Sequence, residues 1–479
     1  MSNGKFSCRI TADGRLVPFD PSLVDSTATS SSPDCDKFFQ IAFMQAYCKE
    51  NNLEFHMSAF DVVGGFLRVK RLSKFPLFLF FPHNFPLAEY AGKYLQVFGA
   101  IYGLKESNRL FAIEMDRVMI KASYVKAGSS PGTYVKRSAT TGKGLCIAVT
   151  HVDDVRGIAC DPVLILDDLR VGLKDRFQEI TEEENCTQYA GITISVDSVS
   201  RAVKCSQPKY IDNVALRTGI THLPANIDTP CSADFFEPSI SVDDCKPVDS
   251  SQYMKLTGSL VHTLSTRDEI RHLVSFLCSK NSTPDAGDFA KAIHVLRYLY
   301  STRDLGRVYD SDSTEVFAYS DSAFNSLPNG RSSTAFFFSV GRDNAPFLSV
   351  AKAQEIVAPD IMSGEYISGS HCCRHVNYIL ELLSDIGEPA KGPIVLFLDS
   401  NTAINLAHAP CVTKKSCHIE RDQHYMRDLT DRKKVKPTHV PARDQRADVM
   451  SKYLPRAPFF RGRDGLLNSN AFLRFVQSL

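Results

Sequence analysis

Five aspartates fall where an apolar, strand-like run gives out: Asp61 in FHMSAFD, Asp153 and Asp154 in IAVTHVDDVRGI, Asp321 in VFAYSD and Asp399 in IVLFLD. Carboxylates at strand ends facing a cleft can hold a hard cation. Mg²⁺ takes oxygen ligands and keeps several waters, so a few acids plus substrate phosphates suffice. Clustered carboxylates repel one another unless a cation or a proton intervenes. Two such cations can activate an attacking oxygen and stabilise a leaving one in a phosphoryl displacement. The same residues have plainer uses, because aspartate is favoured in turns and at helix N-caps. Asp399, before Ser400-Asn401 and a helical run, fits a cap, and the Asp153-Asp154 pair could simply turn a hairpin. Residue type and spacing leave both readings open.

The elements that would position these residues can be read from hydrophobic period. LEFHMSAFD (53–61) alternates, with Phe55, Met57 and Ala59 on one face and Asp61 in phase at its end. GLCIAVTHVDDVRGIAC (144–160) reads as two strands with the aspartate pair at their junction. SQYMKLTGSLVHTLST, EIRHLVSFLCSK and DFAKAIHVLRYLYSTRD carry apolar residues at three- and four-residue spacings and predict helices. Downstream, EVFAYSD, TAFFFSVG and PIVLFLD read as strands, while GEYISGSHCCRHVNYILELLSDIG, TAINLAHA and RADVMSKYL read as helices. Such alternation predicts a mixed sheet flanked by helices.

The chain has 479 residues, enough for about two or three domains. Two Ser/Thr/Pro/Asp-rich stretches, 24–36 and 224–252, read as linkers or long loops, with a weaker break at 310–315. The expected domains are 1–224, 225–312 and 313–479. Net charge is +1, but residues 411–465 hold 14 Lys/Arg against 7 Asp/Glu, a local basic excess suited to phosphate. The 14 cysteines show no CxxC or knuckle spacing and predict buried thiols in a reducing compartment. No apolar run approaches the roughly 20 residues that span a bilayer. MSNGKFSCRITADG lacks the apolar core of a signal peptide, so an intracellular location and no membrane partner are expected.

The order of motifs is more specific than any one of them. FGAIYGLKESNRLF (98–111) resembles the LNKALYGLKQAPRAW motif of copia-type retrotransposon reverse transcriptases. FDVVGGFL (60–67) and THVDD (150–154) stand where that family has DVKTAFL and YVDD. YAGITISV…VKCSQPKYIDNV, YMKLTGSLVHTLSTRDEI and HVLRYLYSTRDLGRVY follow the family's FLGIEI…LSQKKYIEDL, YRSLVGSLLYLTVTRPDI and RILRYLKGTRDYGLVY. YSDSAFNSLPNGRSSTAFFFSVG, SGEYISGS, LDSNTAINLAHAP, CHIERDQHYMRDL and VPARDQRADVMSKYLP are similar to segments of its RNase H domain. The resemblance runs from about residue 5 to residue 460.

It implies an α+β multidomain chain: a right-hand fingers–palm–thumb polymerase followed by an RNase H-like α/β domain. Carried over by position, Asp61, Asp153 and Asp154 correspond to the polymerase triad, holding two Mg²⁺ ions (Mn²⁺ as the substitute). Arg9 corresponds to a fingers arginine that neutralises triphosphate charge, Phe66 to the sugar gate, and Tyr102-Gly103 to residues against the nascent base pair. Asp321, Glu365, Asp399 and Asp448 correspond to the four carboxylates of the nuclease, again with two ions. The implied partners are an RNA template, a DNA primer and product, the RNA–DNA hybrid and dNTPs, with self-association or other element-encoded proteins. The implied location is cytoplasmic, in a virus-like particle, or nuclear.

The chain departs from the family pattern at several points. His151 replaces an aromatic residue, Gly64-Gly65 replace Thr-Ala, and Glu106, Ser107 and Asn108 replace Gln, Ala and Pro. Ser7 replaces a lysine, and Phe111, Phe324 and Ser349 stand where tryptophan is usual; the last loses packing area. These departures carry two alternatives to an active polymerase and nuclease: a remnant that binds nucleic acid without turnover, or a chain that retains only the nuclease. His418, His424 and His439, in the basic stretch, suit phosphate contact better than Mg²⁺, which disfavours nitrogen.

Overall fold

The structure, a computed structural model, describes residues 34–70, 76–138, 143–160, 162–184, 186–197, 199–222, 227–238, 246–409 and 424–469. Arg9, Ser7 and His418 lie outside them. Two compact units divide the chain: Met1–Gln40 with Glu54–Cys186, and Ile41–Leu53 with Thr187–Leu479. Helix α1 (Asp34–Glu50) contributes residues to both. The boundary at 186/187 falls inside the expected segment 1–224.

The first unit carries β1 (His56–Val62), the hairpin β2 (Leu77–Phe80) and β3 (Tyr94–Val97), α2 (Ser107–Lys121), β4 (Val125–Lys126), β5 (Thr133–Arg137), β6 (Leu145–His151), β7 (Asp154–Ala159), α3 (Pro162–Phe177) and β8 (Ile180–Glu184). Six of its strands form a sheet in the order β4-β5-β6-β7-β1-β8. All of its neighbours run antiparallel. Phe60, Val62, Ala148, Val155, Phe111 and Leu173 belong to one core that joins the sheet to α2 and α3. Phe60 and Val62 are buried, whereas Ala59 and Asp61 share the half-exposed face. Met57 is buried on that second face near the strand's start, so the alternation there reported burial without naming the core side.

In the second unit, β9 (Gln188–Tyr189), β10 (Ile192–Val196), β11 (Val203–Ser206) and β12 (Gly306–Tyr309) form a four-stranded sheet in the order β12-β11-β10-β9. The helices expected in its middle are present, and α4 precedes them: α4 (Pro208–Thr218), α5 (Ser250–Thr263), α6 (Arg271–Ser279) and α7 (Ala286–Ser301). Asp285 caps α7 through a capping box with Asp288, which satisfies backbone donors that the first turn leaves open. The stretch expected to be a linker is partly packed: Phe235 is buried, its ring 5.9 Å from that of Phe276.

A five-stranded sheet follows, from β13 (Val316–Ala323), β14 (Ser333–Val340), β15 (Pro346–Ala353), β16 (Ile394–Leu398) and β17 (Val435–His439), in the order β15-β14-β13-β16-β17. Its first three strands run antiparallel, and β13, β16 and β17 run parallel. The run 364–387 is two helices, α8 (Ile361–Cys373) and α9 (Val376–Asp385), interrupted at Arg374-His375. They are followed by α10 (Asn401–Ala407), α11 (Tyr425–Asp431) and α12 (Arg456–Leu467). RADVMSKYL is not a helix but a 3₁₀ turn at Asp448–Met450, since Pro455 begins a new helix just beyond it. One apolar core holds Leu260, Leu273 and Leu299 of the middle helices together with Phe337, Phe397 and Phe459 of the C-terminal part.

Candidate active sites: two carboxylate clusters

The first cluster sits on three consecutive pieces of the first unit's sheet. Asp61 near the end of β1 is the register partner of Asp154 at the start of β7, and Asp153 occupies the turn between β6 and β7. His151 pairs with Asp154, leaving a two-residue loop of Val152 and Asp153. Val152 has φ of 59°, a position that a tight hairpin normally fills with glycine. For a β-branched residue this is strained backbone. The Val62 amide donates to the Asp153 carbonyl at 3.2 Å, tying the turn to β1.

The electrostatics follow from the crowding. Burial raises the Asp154 carboxyl to about 6, helped by Asp153 and Asp61 and opposed by Lys37. Asp61 is raised by burial and by Asp153, against a hydrogen bond from Thr181. Lys37 reaches this corner from α1, its Nζ lying 3.3 Å from Nδ1 of His151. No sequence signal pointed to Lys37, which is 114 residues away along the chain. Below the pair, Arg156 is fully buried and donates to the Gln40 side chain at 3.0 Å and the Lys37 carbonyl at 2.7 Å, fixing β7 to the start of α1.

Phe66 and Tyr102 meet edge to face with ring centroids 4.9 Å apart, and Phe66 also touches Phe111 at 5.7 Å. Gly103 has φ of 88°, which bends the chain after Tyr102 toward α2. The glycine pair that departs from the family pattern has a local reason. Gly64 adopts φ of 65°, and a Cβ on Gly65 would sit 2.7 Å from the Phe111 ring and 3.5 Å from the Asp153 Cβ. Ser107, another departure, donates its hydroxyl to the Ile101 carbonyl at 2.6 Å.

The second cluster lies within the second unit. Among the described residues, Asp321, Asp399 and Asp448 are the one acidic, His or Cys group whose ligand atoms all come within 4.8 Å of one another. Asp321 comes from β13, Asp399 follows β16, and Asp448 opens the 3₁₀ turn. Asp399 does not cap α10: the hydroxyl of Ser400 accepts from the Ala403 amide, which leaves the aspartate free for the cluster. Glu365, on α8, is raised well above its ordinary range by burial, and then by Asp321 and Asp399. Asp321 is raised by burial, with Lys452 opposing, and Asp399 by burial and Asp448. Buried Oδ1 of Asp321 and Oε2 of Glu365 have no hydrogen-bond partner. Oxygen-only donors, two of them orphaned, fit a hard divalent cation.

Lys452, one turn after Asp448, supplies positive charge to this cluster, its Nζ 2.8 Å from Asp448 and 3.6 Å from Asp321. Its four-residue spacing from Asp448 was the one sequence signal that could have pointed to it. Ser451 donates its hydroxyl to Asp321. His424 hydrogen-bonds Tyr366 at 3.1 Å, and His439 is exposed at the end of β17.

Residues 24–232 match the family model described as "Reverse transcriptase (RNA-dependent DNA polymerase)". The retrovirus-related Pol polyprotein from transposon RE1 of Arabidopsis thaliana is 27% identical over 363 residues, 75% of this chain and 24% of that protein. The Pol polyprotein from transposon TNT 1-94 of Nicotiana tabacum is 24% identical over 384 residues, covering 79% of this chain and 28% of its own length. A putative transposon Ty5-1 protein of Saccharomyces cerevisiae is 23% identical over 277 residues, 57% of this chain and 87% of that protein. The chain spans about a quarter of the length of the plant Pol polyproteins it matches. Residues 24–232 are thus similar to a reverse transcriptase domain, and the chain over about three quarters of its length is similar to the Pol polyproteins of plant retrotransposons.

Proposed function

We propose that the chain is an RNA-directed DNA polymerase with a second, hybrid-directed ribonuclease site. The observation that carries the first half is the β1–β7 register, which sets Asp61 opposite Asp154 beside the Asp153 turn, within the reverse transcriptase match. Asp61 and Asp153, with Asp154, would hold two divalent ions, Mg²⁺ by the hardness of the donors. When bound, such ions activate an attacking oxygen and stabilise the leaving one. Phe66 would close the nucleotide site against a 2′-hydroxyl, while Tyr102 and Gly103 lie against the nascent pair. Asp321, Glu365, Asp399 and Asp448 would serve the ribonuclease; the mixed sheet that carries Asp321 on β13 and ends β16 just before Asp399 supports an RNase H-like domain. RNA template, DNA primer, hybrid and dNTPs are the substrates of this reading, and a cytoplasmic particle or the nucleus its location.

A second reading keeps the nuclease alone. It is favoured by the closer gathering of Asp321, Asp399 and Asp448 and by the departures at His151 and Gly64-Gly65. Primer extension on an RNA template and cleavage of a labelled hybrid, run on one preparation with Mg²⁺, separate the two. Extension abolished by Asp153→Asn, with cleavage abolished separately by Asp399→Asn, supports the full reading. Cleavage without extension supports the second, and absence of both refutes each.

A further inference from the structure

The 3₁₀ turn that carries Asp448 also aims Lys452 back at the second acidic cluster. The Lys452 amide donates to the Asp448 carbonyl at 3.3 Å. Its Nζ lies 2.8 Å from the Asp448 carboxylate and 3.6 Å from that of Asp321. The neighbouring Ser451 hydroxyl donates to Asp321, which ties the turn to β13. A lysine four residues from an aspartate is ordinarily a surface pair of little consequence. This one differs in its second partner, because the Asp321 side chain is only 1% exposed. Burial raises Asp321, Glu365 and Asp399, and the Lys452 charge opposes the rise in all three.

The ammonium therefore stands where a cation bridging Asp321 and Asp448 would stand. A hard divalent ion takes its oxygens at about 2.0–2.6 Å, too close to share that position with Nζ. We propose that Lys452 is a tethered monocation on the Asp321–Asp448 side of the cluster, which a divalent ion must displace to enter. This rests on the reading of the cluster as a cation site. The displaced side chain has room, since Lys452 is 36% exposed and lines an open cavity of about 430 Å³ with Ser326, Asn329 and Tyr453. Its charge offsets the repulsion among the carboxylates while no divalent ion is bound. It also raises the free cation concentration at which the cluster fills. A purely structural ion pair would do the first and not the second.

The test is calorimetric titration of Mn²⁺ into the full chain carrying Asp61→Asn and Asp153→Asn, which silence the first cluster. Two neutral variants of that parent, Lys452→Met and Lys452→Gln, are each checked for folding by circular dichroism. Both should bind Mn²⁺ about tenfold more tightly than the parent or better, because a like charge within a few ångströms of the ion is gone. Lys452→Arg keeps the charge and should stay within about threefold of the parent. In EDTA the melting temperature of the neutral variants should fall below the parent's, and saturating Mn²⁺ should restore it. Affinity unchanged or weakened in the neutral variants, or tightened as much by Lys452→Arg, overturns the proposal and leaves the cation site standing. Mn²⁺ binding by neither the parent nor the neutral variants overturns the cation-site reading itself, and the proposal with it.

Discussion

At the scale of single residues, Asp154 shows how a candidate site trades stability for charge. Its carboxyl is raised in the folded chain to about 6, chiefly by burial and then by Asp153 and Asp61. A carboxyl raised on folding favours the native state most below its unfolded value of roughly 4, and that advantage is lost as pH rises through about 6. Asp154→Asn should therefore raise Tm by a few degrees at pH 7.5 and leave it unchanged near pH 3.5, as differential scanning fluorimetry would read in the absence of divalent ions. Ser349 gives the opposite lesson. Its sequence context suggested lost packing where the family has tryptophan. Instead its hydroxyl donates at 2.5 Å to buried Asp268, which also accepts from Arg307 at 2.8 Å through both carboxylate oxygens. Ser349→Ala should cost about 1–2 kcal/mol in urea unfolding. Asp268→Ala should cost about 3–5 kcal/mol, because it strands a buried guanidinium.

Elements were legible where one segment's own pattern decided them and opaque where a partner did. The aspartate hairpin was readable because β6 and β7 are apolar runs flanking a polar pair. β17 was not read: VKPTH contains a proline and little apolar sequence, and it becomes a strand by lying parallel to β16. RADVMSKYL has helical spacing, yet it forms a 3₁₀ turn in which Ser451 and Lys452 engage Asp321 and Asp448. The candidate carboxylates were found by strand-end position and motif order, while Lys37 depends on tertiary proximity that no local spacing encodes. Gly65 tests how tightly the β1 end is built. Gly65→Ala drives a methyl against the Phe111 ring, which also supports Phe66. Overpacking of this kind should cost about 1–3 kcal/mol, read by chemical unfolding, and should lower primer extension more than hybrid cleavage. Equal losses of the two activities would separate Gly65 from the nucleotide site.

For the molecule as a whole, the two acidic clusters belong to different compact units, and each should answer to cations by itself. A cation that binds the native chain and not the unfolded one stabilises it by mass action. Each cluster is also self-repelling when empty, so neutralising a carboxylate should raise the metal-free Tm while reducing the further gain on adding Mg²⁺ or Mn²⁺. Asp153→Asn should remove the first unit's share of that gain and Asp399→Asn the second unit's. Because the clusters share no side chain, the two losses should sum in the double variant to within about 0.5 kcal/mol. Calorimetric melts with and without 10 mM Mn²⁺ (about the level at which weak carboxylate sites fill, on the order of millimolar) would read this directly. A metal gain that disappears entirely with Asp399→Asn would mean that only the Asp321–Asp399–Asp448 cluster takes the ion. That result would bring the chemistry down to the nuclease alone, because a polymerase cluster without its cations leaves three mutually repelling carboxylates where an attacking oxygen must be activated.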